Sequence, residues 1–371
     1  MIGKLIKDFA PSDVNHRNSE GDFIQLNNGD ILFVYTRYDA DCDDHASANL
    51  YASISTDCGE SFSEPYLIYS KNDIVDATNI MSVSLMRMQN GDVGLYFLKK
   101  EGPYVCRLFL VRSSDDGKTW SAPTLCTVGE GYFVVHNGRA LMLKSGKIII
   151  PSAYVEIVKD PNDANVAIEW KPAVFKCFAS YDDGKTWVEE GVKPMVGTRS
   201  GHGLQEPCFV ELKDGRVWCL ARTDLGRIYE SFSTDEGKTW EQFMPSQFTS
   251  ATSPITVKRL SNGNLISFWT PVPVYNGVKQ KFGECWTWGR TPYVSAISSN
   301  DKDFSNPYPI ETEKEKGYAY TSLIETKEGD LLIAYCAGGQ EDGWFMLNRL
   351  RIRKLYKDDL AVIQAHNADI L

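Results

Sequence analysis

One pattern of apolar and polar positions recurs six times along this chain. In each copy two apolar runs flank a short polar turn, in the form apolar-x-x-Gly-polar-apolar. The turn glycines are Gly29, Gly91, Gly146, Gly215, Gly263 and Gly329. Asn-Gly, Asp-Gly and similar pairs between apolar runs are the strongest short-range signal for a β-hairpin. The pattern therefore predicts six hairpins of the same kind.

A second repeat is an eight-residue phrase that is independent of the first. Its copies are STDCGESF (55–62), SSDDGKTW (113–120), SYDDGKTW (180–187), STDEGKTW (233–240) and a worn SSNDKDF (298–304). In each full copy the Asp and Ser side chains suit hydrogen bonds to a turn backbone, and the Gly supplies a positive φ. The final Trp or Phe is a large apolar group that packs beside the turn. The phrase therefore predicts a tight turn between two further strands.

The two repeats together predict the architecture. One Gly hairpin and one Asp-rich turn give about four short strands in each unit of roughly 60 residues, a repeat size that indicates a repeat fold. Six four-stranded units arranged radially form a β-propeller. We therefore predict an all-β, six-bladed β-propeller with residues 1–371 as one domain.

The end of the chain carries two further signals. Residues 348–357, NRLRIRKLYK, alternate apolar and basic side chains and predict a strand. Because this strand follows the sixth hairpin, we expect it to close the ring. The tail DDLAVIQAHNADIL fits either a short helix or a frayed end.

Composition narrows the function. The net charge of −10 argues against binding to nucleic acid or to a membrane surface, so an anionic ligand requires a local basic cluster. The nine cysteines are odd in number and include no C-x-x-C pair, which predicts free thiols in a reducing cytoplasm. Zinc-type spacing is absent, and no metal or cofactor is predicted. Neither an N-terminal secretory stretch nor a run of about 18 apolar residues is seen.

Three arginines lie close to predicted hairpins. A buried core does not favour charged side chains, so these arginines are candidates for a functional site. Arg17 precedes the first hairpin, Arg222 ends the fourth, and Arg290 lies in an aromatic segment of the fifth unit. An arginine side chain suits bidentate binding of a carboxylate. The alternative is that each forms an ordinary ion pair at the surface or between units.

With these arginines the chain resembles the exo-α-sialidases, or neuraminidases. The Asp-rich phrases match the Asp boxes of that family, whose fold is a six-bladed propeller. The resemblance implies that the three arginines clamp a substrate carboxylate. It places the tyrosine nucleophile on Tyr320 in GYAYTSL, 30 residues after Arg290.

The resemblance also supplies two carboxylates. Glu206 in GLQEPCFVEL, 16 residues before Arg222, takes the place of the glutamate that pairs with the tyrosine. Asp43 in the segment DDHA, 26 residues after Arg17, takes the place of the acid/base. Asp41 and Asp44 are alternatives for that role because the whole loop is rich in Asp.

The chemistry explains these residue types. A sialic acid carries a carboxylate on the carbon under attack, which repels an anionic nucleophile, whereas a neutral tyrosine avoids the repulsion. Glu206 would accept the tyrosine proton, and Asp43 would protonate the leaving oxygen and then activate water. The product keeps its anomeric configuration.

The sequence departs from the family at the first arginine, where Asn-Ser-Glu replaces the Arg-Ile-Pro continuation. This departure favours a variant in which another 2-keto sugar acid, such as Kdn or Kdo, is the substrate.

The repeats on their own also fit a non-catalytic carbohydrate-binding propeller or a protein-interaction propeller. The expected partner is a small-molecule or oligosaccharide sialoside, with no nucleic acid and no membrane. Further candidate substrate contacts are Arg37, Asp44, Met81, Tyr154 and His202.

Overall fold

Strands dominate the structure. The computed structural model describes residues 2–191, 200–272, 281–282, 285–286, 290–343 and 347–367. The strands, in chain order, are β1 (Lys4–Phe9), β2 (Arg17–Gln25), β3 (Ile31–Tyr38), β4 (Ala48–Ser55), β5 (Tyr66–Tyr69), β6 (Asn79–Arg87), β7 (Val93–Lys100), β8 (Cys106–Ser113), β9 (Thr124–Leu125), β10 (Tyr132–Val134), β11 (Leu141–Met142), β12 (Ile148–Val155), β13 (Ile157–Asp160), β14 (Asp163–Trp170), β15 (Val174–Ser180), β16 (Val188–Glu190), β17 (Gln205–Glu211), β18 (Val217–Arg222), β19 (Arg227–Ser233), β20 (Met244–Thr249), β21 (Thr256–Arg259), β22 (Leu265–Trp269), β23 (Lys281–Phe282), β24 (Cys285–Trp286), β25 (Tyr293–Ser298), β26 (Tyr308–Glu311), β27 (Gly317–Glu325), β28 (Leu331–Gly338) and β29 (Arg349–Leu355). Short 3-10 turns span Lys71–Asp73 and Gln340–Asp342, and helix α1 spans Lys357–Gln364. The predicted all-β class is confirmed.

The strands form sheets in which almost all neighbours pair antiparallel. Four sheets have four strands each, in the orders β2-β3-β4-β5, β17-β18-β19-β20, β21-β22-β25-β26 and β1-β29-β28-β27. A nine-stranded sheet contains β6 to β12, β15 and β16, and β10 links its two halves by pairing with both β8 and β12. Two-stranded hairpins β13–β14 and β23–β24 stand apart from these sheets. About four strands per unit agrees with the sequence, whereas the number of radial blades stays a prediction.

Both repeats fold as predicted. The six turn glycines have φ between 80° and 96°, a region in which only glycine is unstrained. They connect the antiparallel pairs β2–β3, β6–β7, β11–β12, β17–β18, β21–β22 and β27–β28. Each apolar-x-x-Gly segment is therefore a hairpin that joins two strands of a sheet.

The Asp-rich phrase forms a hydrogen-bonded turn. In the fourth copy the Ser233 hydroxyl donates to Asp235 Oδ1 and accepts from the Gly237 N–H. Asp235 also accepts from the N–H and the hydroxyl of Thr239, and the buried Trp240 donates its indole N–H to the Gly237 carbonyl. The same Ser–Asp hydrogen bond recurs in the copies that begin at Ser55, Ser113 and Ser180. The predicted role of the phrase as a tight turn is confirmed.

The two ends of the chain meet in one sheet. The predicted last strand is present as β29, and it pairs with β28 on one side and with the N-terminal strand β1 on the other. Helix α1 shows that the tail begins as a helix of eight residues. Its one buried side chain, Ile363, packs in the apolar cluster around β27 and β28.

Two chemical expectations bear on the protein's surroundings. The eight cysteines whose side chains are described carry free thiols, and six of them are buried. Across the described ranges, no helix combines the length and apolar composition that a membrane span requires.

Candidate active site

Four strands carry the same irregularity. In β2, β6, β17 and β27 the pairing register breaks at a β-bulge, and a non-glycine residue there has a φ of 42–62°. These residues are Glu20, Ser82, Glu206 and Tyr320. A left-handed backbone at a bulky residue is strained, and a bulge changes the direction in which a side chain points. All four side chains line one cavity, so the bulges direct functional groups into a common site.

The cavity also brings the predicted arginines together. Its volume is about 350 Å³, the size of a small-molecule pocket. Arg17, Arg222 and Arg290 all line it, although they come from segments that are far apart in the sequence. The structure thus places the three arginines around one cavity, and their use as a carboxylate clamp stays a prediction.

Tyr320 and Glu206 are hydrogen-bonded within the cavity. The Tyr320 hydroxyl donates to Glu206 Oε1 at 3.3 Å, and the Arg222 guanidinium donates to Glu206 Oε2 at 2.7 Å. The Arg290 guanidinium carbon lies 5.5 Å from the centroid of the Tyr320 ring. Burial, together with the Glu206 charge, raises the pKa of the Tyr320 hydroxyl above its usual range despite the opposing charges of Arg290 and Arg222. Tyr320 is therefore a neutral phenol near neutral pH, and Glu206 is placed to accept its proton.

Arg17 lies between two carboxylates on the other side of the cavity. Its Nη1 donates to Asp44 Oδ1, and its Nη2 lies 3.9 Å from Glu20 Oε1. The guanidinium also lies over the ring of Tyr38 at 4.8 Å from the centroid. The Arg17 side chain is only 6% exposed, so these partners fix its position in the wall.

Glu20 is a site residue that sequence reasoning missed. It is 5% exposed and accepts a hydrogen bond from the Ser82 hydroxyl. Burial raises the pKa of Glu20 to about 7, although Arg17 and the Ser82 hydrogen bond act against this rise. Glu20 could have been found because it is an acidic residue three positions after Arg17, in a strand whose other residues are almost all buried.

The Asp-rich loop places one of its three candidates in the cavity wall. Asp44 lines the cavity, whereas Asp43 does not, and Asp43 Oδ1 instead accepts the backbone N–H of His45. Asp41 is exposed and accepts the N–H of Cys42. The Asp44 side chain is 57% exposed; partial burial raises its pKa, but the charges of Arg17 and Lys100 outweigh this effect and bring the pKa to about 2. Asp44 is therefore an ionised partner of Arg17 at neutral pH.

The remaining predicted contacts divide into two groups. Met81 and His202 line the cavity. Arg37 and Tyr154 do not line it, and their contact with a ligand stays a prediction. The Arg37 guanidinium instead stacks on Tyr51 at 4.6 Å from the ring centroid, and Tyr154 packs against Phe133. Tyr154 alternates along β12 with Ala153 and Val155, which line the cavity, so its side chain lies on the opposite face of that strand.

A buried polar chain supports the bulges. Arg139 Nη2 lies 2.7 Å from His136 Nε2, and because arginine only donates, that nitrogen is the acceptor. His136 Nδ1 then carries the proton and donates to Asn137 Oδ1. The Asn137 amide donates to the carbonyls of Gly21 and Tyr320, one residue after the Glu20 bulge and at the Tyr320 bulge itself. Sequence reasoning missed these hydrogen bonds because they join residues of strands that are far apart in the sequence.

The cavity is lined by guanidinium groups and by the carboxylates of Glu20, Asp44 and Glu206. Among the described residues, no group of three or more His, Cys, Asp and Glu side chains is arranged to hold a metal. Three guanidinium groups and Lys100 surround the polar part of the cavity, and apolar residues such as Met81 and Leu98 form another part of its wall.

Comparison with known proteins identifies the family. Residues 74–333 match the BNR repeat-like domain. The chain is 31% identical to Sialidase-4 of Homo sapiens over 185 residues, which cover 46% of this chain and 35% of that protein. It is 23% identical to a sialidase of Bacteroides fragilis (strain YCH46) over 253 residues, which cover 60% of this chain and 43% of that protein. The matches thus span less than half the length of these relatives.

A solved structure shows the same fold over most of the chain. The NanB sialidase of Streptococcus pneumoniae superposes with a TM-score of 0.70 over 97% of this chain and 71% of that one, at 14% identity. At this identity the likeness shows a shared β-propeller-like fold alone. The matched repeat domain covers well over half of the sequence, and the chain belongs to the BNR-repeat family of sialidase-like proteins.

Proposed function

We propose that the protein is a retaining exo-glycosidase that hydrolyses terminal α-linked sialic acid through a tyrosine nucleophile. The observation that carries this proposal is the hydrogen-bonded set Tyr320–Glu206–Arg222 in a cavity that also holds Arg17 and Arg290. Family membership supports it, since the curated relatives are sialidases. The family also supports the coarser part of this proposal, that the protein is a sialidase-like glycoside hydrolase.

Substrate binding begins with the carboxylate. Its two oxygens accept hydrogen bonds from the guanidinium groups, and Arg290 contributes a charge that no carboxylate of the described residues pairs with. The substrate carboxylate would compete with Asp44 for Arg17. The apolar wall, which includes Met81 and Leu98, would contact the N-acyl group of the sugar.

The first chemical step forms a covalent intermediate. The Tyr320 oxygen attacks the anomeric carbon while Glu206 takes the phenolic proton, so the nucleophile never has to exist as a free phenolate. The bond between the anomeric carbon and the leaving oxygen breaks, and the acid/base protonates that oxygen. The guanidinium groups stabilise the fixed negative charge of the substrate throughout.

The second step reverses the first with water. The acid/base removes a proton from water, the water oxygen attacks the anomeric carbon, and the Tyr320–carbon bond breaks as Glu206 returns the proton. Two displacements at one carbon retain its configuration.

The kinetics of variants should distinguish Asp43 from Asp44 as the acid/base. Asp44 is ionised and bound to Arg17, which makes it a poor proton donor, so we retain Asp43 as the acid/base. Asp43→Asn should lower kcat/KM by about 10²–10⁴ on a sialyl-oligosaccharide, the usual contribution of a general acid, and much less on a glycosyl fluoride that needs no protonation. Asp44→Asn should change KM on both substrates alike. Steady-state kinetics of both variants on both substrates make the comparison, and the reversed pattern would assign the role to Asp44.

Glu20 should make substrate affinity pH-dependent. Its pKa of about 7 lies above the ordinary carboxyl value, so it is protonated at pH 5.5 and ionised at pH 8.5. Ionisation adds a negative charge beside Arg17, so KM for the anionic substrate should rise as the pH increases through about 7. In Glu20→Gln the rise should be reduced. Measuring KM from pH 5.5 to 8.5 checks this, and superimposable profiles of the two proteins would rule out Glu20 as the cause.

A second candidate is a glycosidase for another 2-keto sugar acid such as Kdn or Kdo. The observation that favours it is Glu20, whose buried carboxyl lies beside Arg17 in the segment that departs from the family pattern and can accept a hydrogen bond from a sugar hydroxyl. Fluorogenic glycosides of N-acetylneuraminic acid, Kdn and Kdo, assayed side by side, decide between the substrates. Binding of one of them without turnover would support a carbohydrate-binding protein instead.

We also propose that the chain forms six blades in one domain. The four four-stranded sheets would each be a blade, and the nine-stranded sheet would supply two, centred on β7 and β12. The pairing of β1 with β29 is the closure expected of a ring. An experimental structure that shows seven blades, or two separate domains, would contradict this arrangement.

A further inference from the structure

A row of aromatic side chains leads away from the Asp-rich loop. The His45 ring lies 6.3 Å from the Tyr132 ring, and the Tyr132 ring meets Trp170 edge to face at 5.2 Å. Trp170 in turn lies 6.3 Å from Tyr104. Tyr132 lines the cavity, whereas Trp170 is 45% exposed, so the row runs from the site to the surface.

Trp170 belongs to a hairpin that projects next to the cavity. Strands β13 and β14 pair with each other and with none of the large sheets. They follow β12, whose last residue, Val155, lines the cavity. The Tyr104 hydroxyl accepts the Ala167 N–H at 3.3 Å and anchors the hairpin to a neighbouring loop. Trp170 itself contacts two rings, those of Tyr132 and Tyr104.

Three apolar side chains of this hairpin are open to solvent. Val166, Ile168 and Trp170 lie in β14, whose pairing with β13 is irregular between Ala167 and Glu169. They are 44%, 59% and 45% exposed within the described part of the chain. Three adjacent exposed apolar side chains at the rim of a site are more than the scattered single residues normal at a surface.

The proposed chemistry indicates on which side of the cavity the leaving group should lie. In an exo-glycosidase only the terminal sugar enters the cavity, and the acid must stand at the leaving oxygen. The leaving group therefore departs on the side of the loop that carries Asp43, Asp44 and His45. That side leads to Tyr132 and then to Trp170.

We propose that Tyr132 and Trp170 form the binding subsite for the leaving group, and that this group is a neutral sugar of an oligosaccharide. The apolar face of a pyranose ring packs on the exposed indole, while its hydroxyl groups remain in water. This inference rests on the proposed function, since it requires a glycosidic bond to be cut at the Asp-rich loop. It adds a specificity for the second sugar that the arginines and Tyr320 do not supply.

The test compares two substrates that share the terminal sugar and differ in the leaving group. One is a sialyl-lactose and the other is a sialosyl fluoride, which has no second ring. In Trp170→Ala we expect kcat/KM to fall about tenfold on the sialyl-lactose, as the loss of one aromatic contact predicts, and to stay within about twofold on the fluoride. Trp170→Phe should retain most of the activity on both. Leu67→Ala, at another exposed apolar position on strand β5, is the matched control and should change neither.

Each remaining outcome has a definite meaning. Equal losses of kcat/KM on both substrates would show that Trp170 supports the fold of the site. No loss on either substrate would show that Trp170 does not contact the leaving group. Both results overturn the subsite. If Trp170→Ala instead changes the oligomeric state measured by light scattering, the apolar face is a contact between copies of the chain, and the subsite is again overturned. Failure of the wild type to cleave either substrate would reject the proposed function itself, and the subsite with it.

Discussion

Tyr320→Phe should reduce kcat by about 10³-fold or more on every substrate that the protein cleaves, because it removes the attacking oxygen itself. The change should leave the site in place. The Tyr320 ring lies against His136 and Arg290, contacts that a phenylalanine ring keeps, and Glu206 retains its hydrogen bond from Arg222. Steady-state kinetics measure the loss, and calorimetric titration with free sialic acid should show affinity within a few-fold of the wild type.

The same strand offers a matched control for this variant. Tyr318 lies two residues earlier in β27, is fully buried, and has a hydroxyl without a hydrogen-bond partner among the described residues. Tyr318→Phe also deletes one phenolic oxygen, but away from the cavity lining, and should keep normal kcat. If Tyr320→Phe retains near-normal turnover, or if both variants lose it equally, Tyr320 is not the nucleophile.

Arg290→Ala should lower kcat/KM by about 10²–10³-fold, the usual cost of truncating a buried charge pair between protein and ligand. Arg17 is paired with Asp44 and Arg222 with Glu206, whereas Arg290 donates to the Thr252 carbonyl, and no carboxylate of the described residues pairs with it. We therefore expect the Arg290 charge to be available to a substrate carboxylate. Arg290→Lys should recover part of the activity, since lysine restores the charge without the bidentate geometry.

A double-mutant cycle isolates this contact from general damage. The second change is made in the ligand, by comparing an inhibitor that carries the free carboxylate with its methyl ester. The wild type should bind the free acid much more tightly than the ester, and Arg290→Ala should bind the two similarly. An equal loss of affinity for acid and ester would show that Arg290 supports the site without contacting the carboxylate.

The sequence predicted the features that depend on neighbouring residues. The hairpin at Gly29 and the turn at Asp235 depend on residues within a few positions of each other, so the local sequence is enough to predict them. Tyr320 and Glu206 were located only through the family resemblance, because nothing in their own segments shows that residues 114 positions apart share a hydrogen bond.

The missed features depend on distant pairing. The bulges that direct Glu20 and Ser82 into the cavity arise from the register of β2 with β3 and of β6 with β7, and a local pattern does not reveal a register. The position of Tyr154 has the same origin, because one step along β12 exchanges the faces of the strand. The choice between Asp43 and Asp44 lies in an irregular loop, where neither alternation nor spacing fixes the direction of a side chain.

The central claim is that Tyr320 forms a covalent bond to the sugar. Incubation with a 3-fluorosialosyl fluoride, followed by proteolysis and mass spectrometry, tests it most directly, since the fluorine slows breakdown of the intermediate. We expect one adduct, on the peptide that contains GYAYTSL and at Tyr320, and no adduct in Tyr320→Phe. An adduct on another residue, or none under conditions in which the wild type hydrolyses a sialoside, would contradict it.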